Sequence, residues 1–534
     1  MIINQDRQQI DLQGRGFGAS TPRPPVRKIS WLPKMIIALL LVAVTFGGVT
    51  TASLAYQAGY QLYVQVGSQP SALVDLRQSI PISPYLLGAN VFPEAGTDSL
   101  DQADSGFMSY AAPIVNGLQS AHIKLLRFPG GNWGEQHAYS FEQLNDFSTL
   151  LTQTDASGMI QVPLSDVSGQ ASTLATRASY AGLIVDYMNN KDSIQRTGKF
   201  AQAPYHPVTL WTVGNEPDLL LNHATGLPYT ADQYAQAFIQ YSIAMHQNDP
   251  HIQVFGPEIS QFYGVGAGPS DATGKLWMEE FLKDVSNYER QHPELPFHLL
   301  DEVSFHSYPF GNAQQAATKL LSSANVWDRI LPSLHQLIRQ DFERDMPVAI
   351  TEVNTNPNKD VPAQNLAALW WADTLGRLMS QQVAYVAFFS AEGVDTPYPL
   401  FTSKGLQETS MLRVMQLFAQ LQHNLVPIPA QGEPVSVYTT QDDTHQTVSL
   451  LFVNKSDSPQ QVQVSSGAGV LPVSPWQAQH ISLGAYGIAV VTLHRDGGAD
   501  AYGYATPTGT ATTPTLVHVV CGNANSGSTN TISC

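Results

Sequence analysis

Leu210-Trp211-Thr212-Val213-Gly214-Asn215-Glu216-Pro217 reads as a buried apolar strand that stops on a carboxylate. Strand-forming residues run into a glycine, an amide and an acid, and the proline then turns the chain. Val348-Ala349-Ile350-Thr351-Glu352-Val353-Asn354 repeats the pattern further along. A strand that presents a carboxylate where it ends is characteristic of parallel β/α architecture, whose working residues stand at strand exits.

The same alternation of apolar strand and amphipathic helix extends in both directions. The predicted strands are Leu86–Phe92, Ile123–Phe128, Met159–Leu164, Val208–Val213, Gln253–Gly256, Glu302–His306, Val348–Thr351 and Ala384–Phe389. Between them, Leu174–Asn189, Ala231–Gln247, Leu276–Arg290, Ala316–Arg339 and Gln364–Ser380 show apolar residues at helical spacing. Eight such units over residues 83–425 predict an α/β fold of (β/α)8 TIM-barrel type. A doubly wound sheet would place a glycine-rich phosphate loop after its first strand, and none is present. On this count Glu216 ends the fourth strand and Glu352 the seventh.

From residue 426 to 496 the pattern changes to short period-two runs, Val435–Tyr438, Val448–Val453, Val462–Val464, His480–Leu483 and Ile488–Leu493. These predict a C-terminal β-sandwich. Residues 56–82 read as a linker in which Ala72–Leu76 offers a first strand to that domain, and 497–534 as a Gly/Thr/Ser-rich tail. Cys521 and Cys534 are the only cysteines. They either close a small terminal loop or remain two thiols.

Before the barrel, a polar segment of residues 1–34 carrying Arg23, Arg27, Lys28 and Lys34 precedes the uncharged run Met35–Ala55. That run is long enough to cross a hydrocarbon core of ~30 Å as one transmembrane helix, with its basic flank inside. A cleaved signal peptide is the alternative, Ser53-Leu54-Ala55 supplying small residues for cleavage. Either route places the barrel outside, anchored at the cell surface or secreted. The net charge of −17 argues against a nucleic-acid partner, whose phosphates call for a basic patch.

Two carboxylates facing each other across a barrel mouth suit glycosidic cleavage: one protonates the leaving oxygen while the other attacks the anomeric carbon. Asn215 is placed to hold a sugar hydroxyl beside the attacking group. Gly214-Asn215-Glu216-Pro217 after an apolar strand, followed three strands later by Ile350-Thr351-Glu352, resembles the retaining glycoside hydrolases of clan A. The resemblance covers the barrel and implies Glu216 as acid/base, Glu352 as nucleophile, a carbohydrate substrate and no cofactor or metal. Leu126-Arg127-Phe128-Pro129-Gly130-Gly131-Asn132-Trp133 is similar to segments of arabinofuranosidases and of the heparanase and β-glucuronidase group. There the paired glycines admit a close ligand, Arg127 can orient the nucleophile, Asn132 lies at the strand exit, and Trp133 either offers a flat face to a sugar or packs.

On the sixth strand, Phe305-His306-Ser307-Tyr308-Pro309 puts His306 and Tyr308 on one face. The resemblance implies that Tyr308 hydrogen-bonds the nucleophile and that His306 lines the pocket. The eighth strand exits as Ala387-Phe388-Phe389-Ser390-Ala391-Glu392, where many clan members carry a tryptophan. Here either a phenylalanine replaces the indole or Glu392 contacts a substrate hydroxyl. Two other classes remain open at this level: a carbohydrate-binding barrel without turnover, and an envelope structural protein. The paired glutamates weigh against both.

Overall fold

The computed structural model describes residues 59–95, 106–167, 172–222, 224–310, 316–356, 361–394, 397–429, 433–466, 476–505, 515–521 and 532–534. The run Met35–Ala55, read above as a membrane span or signal peptide, lies outside the described residues. Among the described residues no helix is long and apolar enough to cross a membrane.

Eight parallel strands close into a barrel: β1 (Gly88–Asn90), β2 (Leu125–Phe128), β3 (Ser157–Val162), β4 (Leu210–Val213), β5 (Gln253–Ile259), β6 (Glu302–Ser307), β7 (Val348–Val353) and β8 (Tyr385–Phe388). They are the eight expected segments in the expected order, and β8 pairs with β1 through Phe388 and Ala89. Inward-facing residues alternate along each strand. Leu125, Met159, Leu210, Phe255, Ala349 and Tyr385 pack together as an apolar plug. Two residues further along β2 and β3, the inner positions are Arg127 and Gln161, both fully buried. The barrel interior is therefore apolar toward the start of the strands and polar toward their exits.

The helices Leu174–Asn189 and Gln364–Ser380 have the expected bounds. Trp370 and Trp371 are buried in the latter, as core residues. The expected helix Ala316–Arg339 is instead three pieces, Ala317–Ser322, a 3-10 turn Ser323–Val326 and Trp327–Phe342. Its serine, alanine and asparagine run includes weak helix formers, and the axis breaks there. Phe141–Thr154 was not expected. It begins with a capping box in which Ser140 accepts from the Gln143 N–H while Gln143 returns the bond.

The β-sandwich draws on both ends of the described chain. One sheet has the order Ala72–Asp75, Gln61–Val66, Gln460–Ser465, Gln479–Leu483, Ile532–Ser533. The other runs Thr515–Cys521, Ala499–Ala505, Ile488–His494, Thr447–Asn454, Val435–Gln441, Asn424–Val426, Ile80–Pro81. Two sequence readings are corrected here. Residues 56–82 are more than a linker, since three strands come from them. Nor do 497–534 form only a tail, because Ala499–Ala505 and Thr515–Cys521 extend the second sheet and Cys521 is bonded to Cys534. Small residues hid these strands: Ala499 and Ala501 fill core positions where a bulky residue would have signalled burial.

The second sheet is apolar on both faces for a physical reason. Val448, Leu450 and Phe452 face the sandwich core, whereas Leu451 and Val453 join the barrel's own hydrophobic cluster. Tyr438 of this sheet lies against Gly376 of the helix Gln364–Ser380, where a Cβ would come within 2.4 Å of its ring. Its hydroxyl donates to Asp373 at 2.6 Å, and Lys455 reaches the same buried carboxylate at 3.1 Å. The sandwich is thus keyed to the barrel by a polar contact inside an apolar interface.

Candidate active site

At the end of β4, Gly214 and Glu216 both take positive φ, 77° and 46°, and Pro217 opens a 3-10 turn. Left-handed backbone is costly for a glutamate. It is held by a hydrogen bond from the Glu216 N–H to the carbonyl of Glu258, 2.9 Å, at the exit of β5. Glu258 is itself left-handed, with φ 59°. In β7 the pairing with β6 slips between Phe305 and His306, so that His306 stands level with Glu352. Such a bulge re-aims side chains at a strand end.

The resulting cluster draws on strands β1, β2, β3, β5, β6 and β7 and on the exit of β4. Arg127 donates to Glu352 Oε1 at 3.0 Å, Glu258 Oε2 at 2.8 Å, Asn90 Oδ1 at 2.8 Å, Asn215 Oδ1 at 2.9 Å and Gln161 Oε1 at 3.1 Å. Tyr308 donates its hydroxyl to Glu352 Oε2 at 2.7 Å. Nδ1 of His306 is 3.2 Å from Glu216 Oε1 and 3.5 Å from Glu352 Oε2, and its Nε2 faces Glu258 at 3.6 Å. One oxygen of Glu216, one of Glu352 and a ring nitrogen of His306 all lie within 4.8 Å of one another.

Burial and charge act in opposite directions on His306 and Glu258. Burial pushes His306 down, but the carboxylates of Glu352, Glu216 and Glu258 outweigh it and raise the imidazole to about 10. Burial raises Glu258, yet Arg127 and His306 hold it at about 2. Glu352 is raised by burial, against the pull of His306, Arg127 and the Tyr308 hydroxyl, with Glu216 adding repulsion. Burial and the adjacent Glu352 carboxylate hold the Tyr308 phenol well above its ordinary value, so it remains a donor. Two cations thus face three carboxylates.

Of the residues singled out from sequence, the structure brings together Glu216, Glu352, Arg127, Asn215, His306 and Tyr308. Asn132 joins at the rim, accepting from the Asn215 amide at 3.2 Å. Trp133 does not present an open face. It is buried, stacked on His137 at 4.7 Å with Phe107 edge-on at 5.6 Å, because it begins a short helix that turns it away. Glu392 is buried and accepts the Ser109 N–H at 2.6 Å, so it braces the loop there. Half-buried Phe389 stands at the exit of β8, edge-on to Tyr308 at 6.2 Å. Gly131 shows why a glycine is needed: φ is 57°, and a Cβ there would sit 3.1 Å from Glu352 Oε1 and 3.0 Å from Phe389.

Sequence reasoning did not name Glu258, Asn90, Gln161 or Glu135 among the site residues. Asn90 ties β1 to β7 and β8 by donating to the carbonyls of Thr351 and Ala387 at 2.9 and 3.1 Å. Glu135 accepts the N–H groups of Leu164 and Ser165 at 3.1 and 2.8 Å and so fixes the loop after β3. The available signal was positional: Gly256-Pro257-Glu258 places an acid at the exit of β5, as Asn215-Glu216-Pro217 does at β4.

No protein-family model matches the sequence, and no curated protein matches it. Among solved structures, the chain resembles the family 51 α-L-arabinofuranosidase of Thermotoga petrophila RKU-1 at 14% identity, over 86% of this chain and 98% of that one, with a TM-score of 0.60. The α-L-arabinofuranosidase of Thermotoga maritima, solved with arabinose, is 15% identical over 82% and 93% of the two chains, with a TM-score of 0.57. A Paenibacillus polymyxa xyloglucanase of glycoside hydrolase family 44 is 13% identical over 78% and 97%, with a TM-score of 0.52. At these identities the likeness establishes the fold alone: a closed barrel with added antiparallel sheets, shared with clan A glycoside hydrolases of families 51 and 44.

Proposed function

We propose that the chain is a retaining glycoside hydrolase, with Glu216 as general acid/base and Glu352 as nucleophile. The observation that carries this reading is the approach of the two carboxylates, whose facing oxygens lie within 4.8 Å. That approach is one of nearest oxygens; it supports the retaining arrangement, whose carboxyl groups stand ~5–5.5 Å apart, over inversion, which needs ~6.5–9.5 Å to admit a water.

The surrounding groups suit double displacement. Glu352 attacks the anomeric carbon while Glu216 protonates the departing oxygen, giving a glycosyl ester on Glu352. Glu216, now a base, then takes a proton from water, whose oxygen attacks the same carbon and releases Glu352. Arg127 and Tyr308 hold one Glu352 oxygen each, which fixes the carboxylate's plane and stabilises its charge when the ester breaks. Asn215 is held by Arg127 and Asn132 beside the nucleophile, where its amide can bind a sugar hydroxyl.

The substrate class proposed is a β-linked or α-L-arabinofuranosyl bond in an extracellular polysaccharide or glycoconjugate. Arabinofuranosidase and xyloglucanase neighbours support a carbohydrate, and export rests on the sequence of Met35–Ala55. The test is a panel of aryl α-L-arabinofuranosides and β-D-glycosides with wild type, Glu216→Gln and Glu352→Gln. Each variant should lose ~10²-fold or more in kcat, and the first-formed sugar should keep the substrate's anomeric configuration. Activity within a few-fold of wild type, or an inverted anomer, refutes the assignment. Azide should rescue a small-side-chain Glu352 variant to the inverted glycosyl azide and the Glu216 variant to the retained one.

A further inference from the structure

We propose that Glu258 is a positioning residue whose buried carboxylate sets the protonation state in which the Glu216–Glu352 pair works. The inference rests on the glycosidase reading and deepens it. Glu258 is fully buried, so it meets no substrate. It instead touches every element that carries the chemistry. Its main-chain carbonyl accepts the Glu216 N–H, and its Oε1 accepts the hydroxyl of Thr351, next to the nucleophile, at 2.7 Å. Its Oε2 accepts from Arg127 at 2.8 Å and faces His306 Nε2 at 3.6 Å.

The charges around these groups come from five places. Arg127 projects from β2, His306 and Tyr308 from β6 and its exit, Glu352 from β7, Glu216 from the exit of β4, and Asp218 from the turn after it, bonded to Ser260 at 2.8 Å. Within the central cluster Arg127 and His306 are positive, while Glu258 and Glu352 are negative. A protonated Glu216 then leaves the cluster neutral, and that is the state the first chemical step requires. Without the Glu258 charge the same state is net positive, which favours loss of the proton from the pair. Glu258 also faces the imidazole from the side opposite Glu216, so its charge helps keep His306 an imidazolium.

Two readouts on the full chain test this with Glu258→Gln, which keeps the side chain's shape and removes its charge. By NMR, with the His306 signal assigned from a His306→Asn spectrum, the imidazole's titration midpoint should fall by about one pH unit or more. On the aryl glycoside that wild type cleaves best, the basic limb of kcat/KM should move to lower pH by a similar step. Glu258→Asp, which retains the charge one methylene back, should give shifts of the same sign but smaller size, and it carries the test if Glu258→Gln does not fold. An unmoved His306 midpoint, or a rate that falls equally at every pH with the limb in place, overturns the proposal. If wild type cleaves no glycoside while the His306 midpoint moves as stated, the charge role of Glu258 stands and the glycosidase reading fails.

Discussion

Replacing Arg127 by methionine removes the cation while keeping an apolar stem of similar length. In the wild type, Arg127 and His306 hold Glu258 at about 2 against an ordinary 4.5. That gap corresponds to roughly 3 kcal/mol of folding stability. Because the folded value is depressed, this contribution is present above about pH 4.5 and is lost as pH falls toward 2. Methionine leaves Glu258 and Glu352 buried with only His306 as counter-charge, and burial then raises Glu258. The sign reverses, for a carboxyl whose folded value lies above its unfolded one favours the native state less as pH rises. Arg127→Met should therefore cost ~3–5 kcal/mol near pH 8, as expected for one partner stripped from a buried pair. The deficit should shrink toward pH 5, where the orphaned carboxylate takes up a proton. Thermal unfolding of both proteins at pH 5, 6.5 and 8 measures it. A deficit that is the same at pH 5 and pH 8 would refute the view that Arg127 acts as the counter-ion of these acids.

Other consequences follow from single contacts. Tyr308→Phe deletes a buried donor to a carboxylate, worth ~1.5–3 kcal/mol; the ester on Glu352 should break about tenfold or more slowly, seen as a larger burst of aglycone with an activated aryl glycoside. Gly131→Ala forces a Cβ to 3.1 Å from Glu352 Oε1 at positive φ, so kcat should fall while the melting temperature drops by only a few degrees; unchanged kcat counts against a close fit there. Asp373→Ala strips Lys455 and Tyr438 of a shared buried partner and should destabilise the protein by about 3 kcal/mol, with the ratio of kcat between substrates left unchanged because the contact lies outside the strand exits.

The barrel was legible because its signal is repeated. Each of its eight segments, from Gly88–Asn90 to Tyr385–Phe388, lies in an apolar run bounded by a turn, and an error of two or three residues at an end leaves the count intact. The sandwich was half legible. Thr447–Asn454 announces itself by Val448, Leu450 and Phe452, but Ala499–Ala505 reaches the same core through alanines that composition alone assigns to a linker. Trp133 misled for a related reason. A tryptophan beside two glycines at a strand exit is compatible with a sugar platform and with packing, and only the short helix it opens decides between them.

Glu258 shows why a site's ion network is harder to read than its catalytic pair. Glu216 and Glu352 can be found one at a time, since each ends a strand and the strand number gives its place. The network around Arg127 cannot, because Asn90, Gln161, Asn215, Glu258 and Glu352 come from separate turns of the chain and meet on one guanidinium only when the barrel closes. Their pairing in turn steadies the closed barrel. The buried carboxylates of Glu258 and Glu352 and the half-buried one of Glu216 would repel one another in the upper barrel if Arg127 and His306 were not placed between them, and buried charge is tolerated only when paired. The residues that tune the proposed chemistry thus also stabilise the upper barrel. A substitution at Arg127 or Glu258 should accordingly change stability and pH dependence together, whereas one at Glu216, at the partly open end of the cluster, should remove activity with little cost to the fold.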